Sequence, residues 1–304
     1  MTPPAAPTEF RKATFRPSPG RKVAFLNPRD HRRSLGSRAL LGLGVGVVLV
    51  FTLFPVWLMV STAFNGRANA GSRSLWPEDW TLDNFAFVIG EGGFGRYLTN
   101  SLLVALGTVL AGALLALLAA VAVARFRFRF RTSVLVMILI IQMVPVEALV
   151  IPLFIQARSL GVLDSLVGLV VVYLAFSLPF AIWTLRGFVA SVPVELEEAA
   201  YLDGASWGRM FWSVLLPLVA PGLVATSVFS FITAWNEFIF ALTFMADQDN
   251  YTVAVGLRRF FGQYGTDWGA LMAGSTLITI PVMVFFVIAQ KRLTDGLVAG
   301  AVKG

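Results

Sequence analysis

Two carboxylates, Glu147 and Glu237, stand inside long apolar runs, and their type and setting make them the first candidates for chemistry in this chain. An ionisable group in hydrocarbon is costly enough that function is its default reading. Glu237 follows Trp235 and Asn236. That trio supplies what a sugar needs, an amide and a carboxylate for hydroxyls and an aromatic face for the apolar side of the ring. The same group could equally make a polar contact to a partner subunit. Glu147 closes the run Gln142-Met-Val-Pro-Val-Glu147, in which Pro145 frees a backbone carbonyl and bends a helix. Gln142 and Glu147 therefore either line a passage or brace a helix junction.

Other chemistries are excluded by residue counts. The chain has no cysteine, and His31 is its single histidine, so thiolate metal sites, multi-histidine sites and a Ser-His-Asp triad have no raw material. His31 lies in a basic stretch and reads as solvated. Gly42, Gly44, Gly46, Gly107 and Gly112 precede no strand-to-helix turn with a lysine, so they read as helix-packing positions. No G-x-x-x-x-G-K-[ST] occurs, which leaves no phosphate loop for ATP. No catalytic residue, bound cofactor or metal site is expected.

The elements that position the carboxylates must be membrane helices. Of 304 residues 57% are hydrophobic and 13% charged, with a mean hydropathy of +0.77, a surface no water-soluble domain of this size tolerates. Six apolar runs, 39–61, 98–124, 132–155, 166–184, 217–245 and 269–289, each reach about 19 residues or more, close to the ~20 that cross a ~30 Å hydrocarbon core. They lack the alternation of barrel strands, so the fold class is an all-α membrane protein of six transmembrane helices. Lys and Arg concentrate before the first run, in Arg125, Arg127, Arg129 and Arg131, in Arg186 and Arg209, and after the last run, which places both termini in the cytoplasm. The net charge of +7 is thus mainly a topology signal and does not point to nucleic acid. Residues 1–34, rich in Pro, Arg and Ser, are expected to be a mobile basic cytoplasmic tail that can meet anionic lipid and to contain no cleavable leader. Residues 35–304 form the transmembrane domain.

One cytoplasmic loop, 191–217, is too polar for membrane and too patterned for a linker. Pro193 suits a first helical position, and Glu195, Glu197 and Glu198 sit where a helix dipole favours carboxylates. Ala199 and Ala200 make a shallow face that another protein can approach, and Gly204 supplies a positive φ or a close contact at the turn. A second short helix, 207–215, leads into Pro217. The loop reads as a helix-turn-helix under the membrane.

At this point the residues resemble a known family. Glu198-Ala199-Ala200, then Asp203-Gly204, Val214 and Leu216-Pro217 are spaced as in the EAA loop of permease subunits of binding-protein-dependent ABC importers, with Val214 in place of the commoner Ile. Tyr97-Leu-Thr-Asn-Ser101 also resembles these permeases, and Ala234-Trp-Asn-Glu-Phe238 resembles their sugar branch. Tyr251-Thr-Val-Ala-Val-Gly256 and the tail 296–304 are similar to the second permease subunit of maltose-type importers. The resemblance implies a type I importer permease (MetI-like) fold in the inner membrane, one half of a passage for maltose, maltooligosaccharides or related α-glucosides. It also implies partners: a second permease subunit, two ATPase subunits that bind ATP and Mg, and an extracytoplasmic sugar-binding protein. Glu198, Ala199, Ala200, Asp203, Gly204, Leu216 and Pro217 would couple to the ATPase, and Trp235, Asn236, Glu237, Glu147 and Gln142 would belong to the substrate pathway.

Two other classes stand beside this one. A secondary carrier would call for internal repeats and a proton relay, and a membrane-embedded enzyme would call for clustered nucleophiles or ligands. Copurification of an ATPase subunit separates them from the importer. Within the importer class, another sugar or a glycerol phosphate is the alternative cargo.

Overall fold

The computed structural model describes residues 35–68, 75–262 and 265–301, with side chains placed within 39–290. The expected mobile tail 1–34 lies outside the described residues. The chain divides into two units, Met1–Thr52 and Leu53–Gly304. The first is described only as the helical stretch that begins α1 (Leu35–Ala63).

The second unit is helical. After α2 (Asp83–Ile89) come α3 (Phe94–Arg125), α4 (Arg131–Ile141), α5 (Val150–Ser159), α6 (Leu166–Ser191), α7 (Val194–Leu202) and α8 (Trp207–Met210). They are followed by α9 (Leu216–Asn236), α10 (Ile239–Phe244), α11 (Val253–Leu257) and α12 (Trp268–Ala301). A two-residue hairpin, β1 (Phe261–Gly262) with β2 (Gly265–Thr266), precedes α12. Five stretches are long and apolar enough to cross a membrane: Ala39–Ala63, Phe94–Arg125, Leu166–Ser191, Trp207–Asn236 and Trp268–Gln290.

The third expected span, 132–155, is not one helix. It breaks between α4 and Val146–Leu149, and the two halves meet at 95°. Pro145, extended at φ −61° and ψ 122°, is the physical cause, because it withholds the N–H that would continue the ladder. The fifth span also departs from expectation. It ends at Asn236, where Glu237 turns extended (φ −68°, ψ 127°), and α10 follows as a separate helix. Its other end reaches back through α8 and a π-helical turn, Phe211–Leu215, so the second helix of the polar loop and the span form one rod, Trp207–Asn236. α12 continues helical through Ala301, into the tail 296–304.

Two apolar clusters hold this unit together. The larger joins Phe94 and Val104 of α3, Leu169 of α6, Phe231 and Trp235 of α9, Phe240 and Phe244 of α10, and Ala270 and Ala273 of α12. The other joins Ala116 and Ala120 of α3, Ala181, Leu185 and Val189 of α6, and Met210, Phe211, Leu215 and Val219 of the α8–α9 rod. Small residues let α3 and α6 approach closely: a Cβ on Gly112 would sit 3.3 Å from Leu174.

Candidate functional site

The polar loop is built as a rigid bracket. Pro193 caps α7 with an extended backbone, one residue before the helix begins. The helix ends in a paired closure: Gly204 N donates to the Tyr201 carbonyl at 3.0 Å and Ala205 N to the Ala200 carbonyl at 2.9 Å. This is the Schellman arrangement, which requires a left-handed residue at the turn. Gly204 supplies it at φ +81°, and a Cβ there would meet nothing within 4 Å. The glycine is therefore required by its conformation and not by crowding within this chain. Ser206 then caps α8 by accepting from Arg209 N at 3.4 Å.

Arg125, at the last turn of α3, locks the bracket to the bundle. Its Nε donates to Glu197 Oε1 at 2.7 Å and its Nη2 to the Val192 carbonyl at 2.8 Å. The pair is largely withdrawn from water, with side-chain exposures of 14% for Arg125 and 9% for Glu197. By residue type Arg125 reads as a topology charge and Glu197 as a carboxylate at a helix start; their ion pair has no signal in the sequence because the partners lie far apart along the chain. With Glu197 turned inward, Glu198, Ala199, Asp203 and Gly204 remain exposed, while Ala200 and Leu216 pack on the second apolar cluster. Pro217 is exposed at the start of α9.

The five pathway candidates separate into two groups. Glu147, Asn236 and Glu237 share the lining of one cavity of about 510 Å³, with Val146, Val150, Phe238, Ile239 and Phe240. It lies where the breaks in the third and fifth spans face each other. Trp235 and Gln142 are not among its lining residues. Trp235 is buried and stacked on Phe231 at 5.4 Å between ring centroids, and Gln142 is exposed with its amide on the Ile138 carbonyl at 3.3 Å.

Glu237 has a definite task in the fold. Its Oε1 accepts from Phe240 N at 2.9 Å, and its Oε2 accepts from Ala241 N at 3.0 Å and from the Tyr173 hydroxyl at 2.6 Å. These amides are the orphan donors at the start of α10, and a carboxylate satisfies them better than any neutral cap. Glu147 is exposed; its backbone carbonyl accepts from Val150 N, and its carboxylate makes no hydrogen bond or ion pair among the described residues. Asn236 Nδ2 donates to the Ile232 carbonyl at 3.0 Å. Beside Glu237 a smaller cavity of about 80 Å³ is lined by residues that include Thr108, Tyr173, Ser177, Ser230 and Thr233, and the Ser177 hydroxyl is buried without a partner among the described residues.

The motifs 97–101 and 251–256 turn out to be one structural unit. Asn100 Nδ2 donates to the carbonyls of Asp249 and Tyr251 at 2.8 and 3.0 Å, and Ser101 Oγ accepts from Val253 N at 2.9 Å. Arg96 pairs with Asp249. Tyr97 receives Arg259 Nη1 on its hydroxyl at 2.6 Å, and its ring closes on Gly256, where a Cβ would sit 2.3 Å from Cδ2. On the neighbouring turn Asp164, at φ +55°, accepts from Ala246 N and Asp247 N at 2.7 and 2.9 Å. The segment after α10 is thus tied to the starts of both α3 and α6.

Long apolar helices, a braced polar bracket across the ends of three of them and a polar cavity at two helix breaks define a polytopic membrane protein of the transport class. The chain belongs to the family described as binding-protein-dependent transport system inner membrane component, which it matches over residues 112–298. It is 40% identical over 275 residues to a diacetylchitobiose uptake system permease protein of Streptomyces coelicolor, covering 90% of this chain and 100% of the relative. It is 36% identical over 277 residues to a trehalose/maltose transport system permease protein of Thermococcus litoralis, covering 90% and 99%. Its fold matches a chain of a bacterial ABC transporter involved in the import of the acidic polysaccharide alginate, with a TM-score of 0.73 at 21% identity over 84% of this chain and 95% of that one.

Proposed function

We propose that this chain is the permease subunit of an ATP-driven importer of neutral di- and oligosaccharides, with maltose, maltooligosaccharides and related α-glucosides as the leading cargo. The observation that carries the reading is the bracket. α7 offers an exposed acidic and small-residue face, while Arg125 and the second apolar cluster bind its back to α3, α6 and the α8–α9 rod. A helix held this way passes the displacement of a docked protein into three membrane spans together. Two ATPase subunits carrying ATP and Mg would dock there, a second permease subunit would complete the passage, and an extracytoplasmic binding protein would deliver the sugar.

The cavity supports a neutral cargo. Its polar lining is Glu147, Asn236 and Glu237, with no lysine or arginine. Such groups accept hydrogen bonds from hydroxyls, and with no cation in the lining they offer phosphate or carboxylate no partner. This favours a sugar over glycerol phosphate. A disaccharide of N-acetylglucosamine is a second reading, favoured by the full-length similarity to the diacetylchitobiose permease.

The test is uptake into proteoliposomes holding the assembled importer and its binding protein. Labelled maltose, trehalose, diacetylchitobiose and glycerol 3-phosphate are compared with and without internal ATP. ATP-dependent uptake of a neutral sugar is expected. Uptake that proceeds without ATPase subunits would mark a secondary carrier and end the reading.

A further inference from the structure

Between α3 and α4 the chain runs Arg125-Phe-Arg-Phe-Arg-Phe-Arg131, and its central residues take no part in the site described above. Phe126, Phe128 and Phe130 are 55%, 42% and 64% exposed. Arg127 and Arg129 are exposed as well; Arg127 has no hydrogen bond or ion pair among the described residues, and Arg129 lies 5.8 Å from the centre of the Phe130 ring. The backbone is nevertheless fixed. Phe126 N donates to the Ala122 carbonyl, Arg131 N to the Phe128 carbonyl, and Arg131 Nη2 to the Ala124 carbonyl.

Because the segment joins the end of the span Phe94–Arg125 to α4, the first half of the apolar pair broken at Pro145, it lies at the boundary between hydrocarbon and water. Aromatic rings are favoured at that depth and guanidinium groups pair with phosphates just above it. Charge that merely sets topology needs no phenylalanine between the arginines. We propose that residues 126–130 form a binding site for anionic phospholipid headgroups, in which Arg127 and Arg129 hold the phosphate and the three phenylalanines enter the acyl boundary. The site adjoins the bracket directly, since Arg125 is bonded to both Glu197 and the Val192 carbonyl. A lipid bound here therefore steadies the end of α3 that holds α7.

The experiment uses the assembled importer in nanodiscs of phosphatidylcholine with or without phosphatidylglycerol. Native mass spectrometry reads phosphatidylglycerol retained on the complex, and ATP hydrolysis is measured in parallel. Each basic residue near an anionic surface strengthens binding roughly fivefold, so Arg127→Gln/Arg129→Gln should lower retention roughly 25-fold. The double variant should also lose any rise in hydrolysis caused by phosphatidylglycerol while keeping wild-type hydrolysis in phosphatidylcholine. Phe128→Ser, which keeps the charge, should lower retention too. Unchanged retention in either variant overturns the site. So does loss of ATPase subunits from the double variant in phosphatidylcholine, which would make the segment a protein-docking surface. Retention is read without reference to transport, so failure of the importer reading would not be mistaken for failure of this one.

Discussion

The Arg125–Glu197 pair gives the sharpest test of the bracket. Glu197→Ala leaves a guanidinium that is 14% exposed with the Val192 carbonyl as its remaining acceptor. Removing one partner of a buried pair costs about 3–5 kcal/mol, and the residual exposure of this one places it near ~3 kcal/mol. At ~1.4 kcal/mol per decade, undocking of α7 becomes about 100-fold more frequent. Met210, Phe211 and Leu215 still anchor the rod through the second cluster, so the bundle stays folded and the loss is local. Hydrogen exchange measures this, because amides report the opening free energy of their own cooperative unit. Amides of α7 should lose about two decades of protection while those near Val104 and Ala105 keep theirs. Arg125→Ala should reproduce the effect. The double substitution should be milder than the sum of the two, with a coupling of about 1–3 kcal/mol. Strict additivity, or α7 protection unchanged by both single substitutions, would refute the lock. Sugar-stimulated ATP hydrolysis should fall in step with protection.

Four further outcomes follow from the geometry. Gly204→Val forces a β-branched residue to φ +81° at about 1–3 kcal/mol, which should lower both stimulated hydrolysis and the ATPase subunit retained, whereas Gly204→Asn, which tolerates that backbone, should nearly restore them; wild-type values for the valine variant would remove the loop as coupling element. Gly256→Ala places a Cβ 2.3 Å from Tyr97 Cδ2 and should lower the thermal unfolding midpoint by an overpacking cost of about 1–3 kcal/mol; an unchanged midpoint contradicts the contact. Glu237→Gln turns an amide NH₂ toward an acceptor-seeking backbone N–H, costs about 1–3 kcal/mol and should reduce stability and transport together. Glu147→Gln should leave stability alone and raise KM for the sugar, and a stable Glu237→Gln protein would defeat the capping role.

What the sequence conceals is set by distance along the chain. Hydropathy locates the spans because hydrocarbon demands a property of every residue in the run, and the turn at Gly204 is legible because only local backbone geometry is involved. The break at Pro145 carries a local signal too, yet run length alone would join its two halves into one span. Glu197 and Arg125 have no such signal: each satisfies a local rule, dipole or topology, and their pairing comes into being only when α3 and α7 meet. Glu237 shows the same limit. Its type marks it as functional, but that its oxygens are engaged by Phe240, Ala241 and Tyr173 depends on a helix break that no adjacent proline or glycine announces. The motifs 97–101 and 251–256 can each be noticed alone, and their mutual contact is purely tertiary.

The rod Trp207–Asn236 has 30 residues and is about 45 Å long at ~1.5 Å per residue. Gly222 falls at its midpoint, buried, in close approach to α6: a Cβ there would lie 2.4 Å from the Phe188 ring. Pro221 directly precedes that contact, and Pro217 and the π-helical turn Phe211–Leu215 lie between it and the polar loop, so the yielding points of the rod are all on the loop side. A push on the loop end is therefore met first by flexing there, while the Gly222–Phe188 contact keeps the rest of the rod seated against α6.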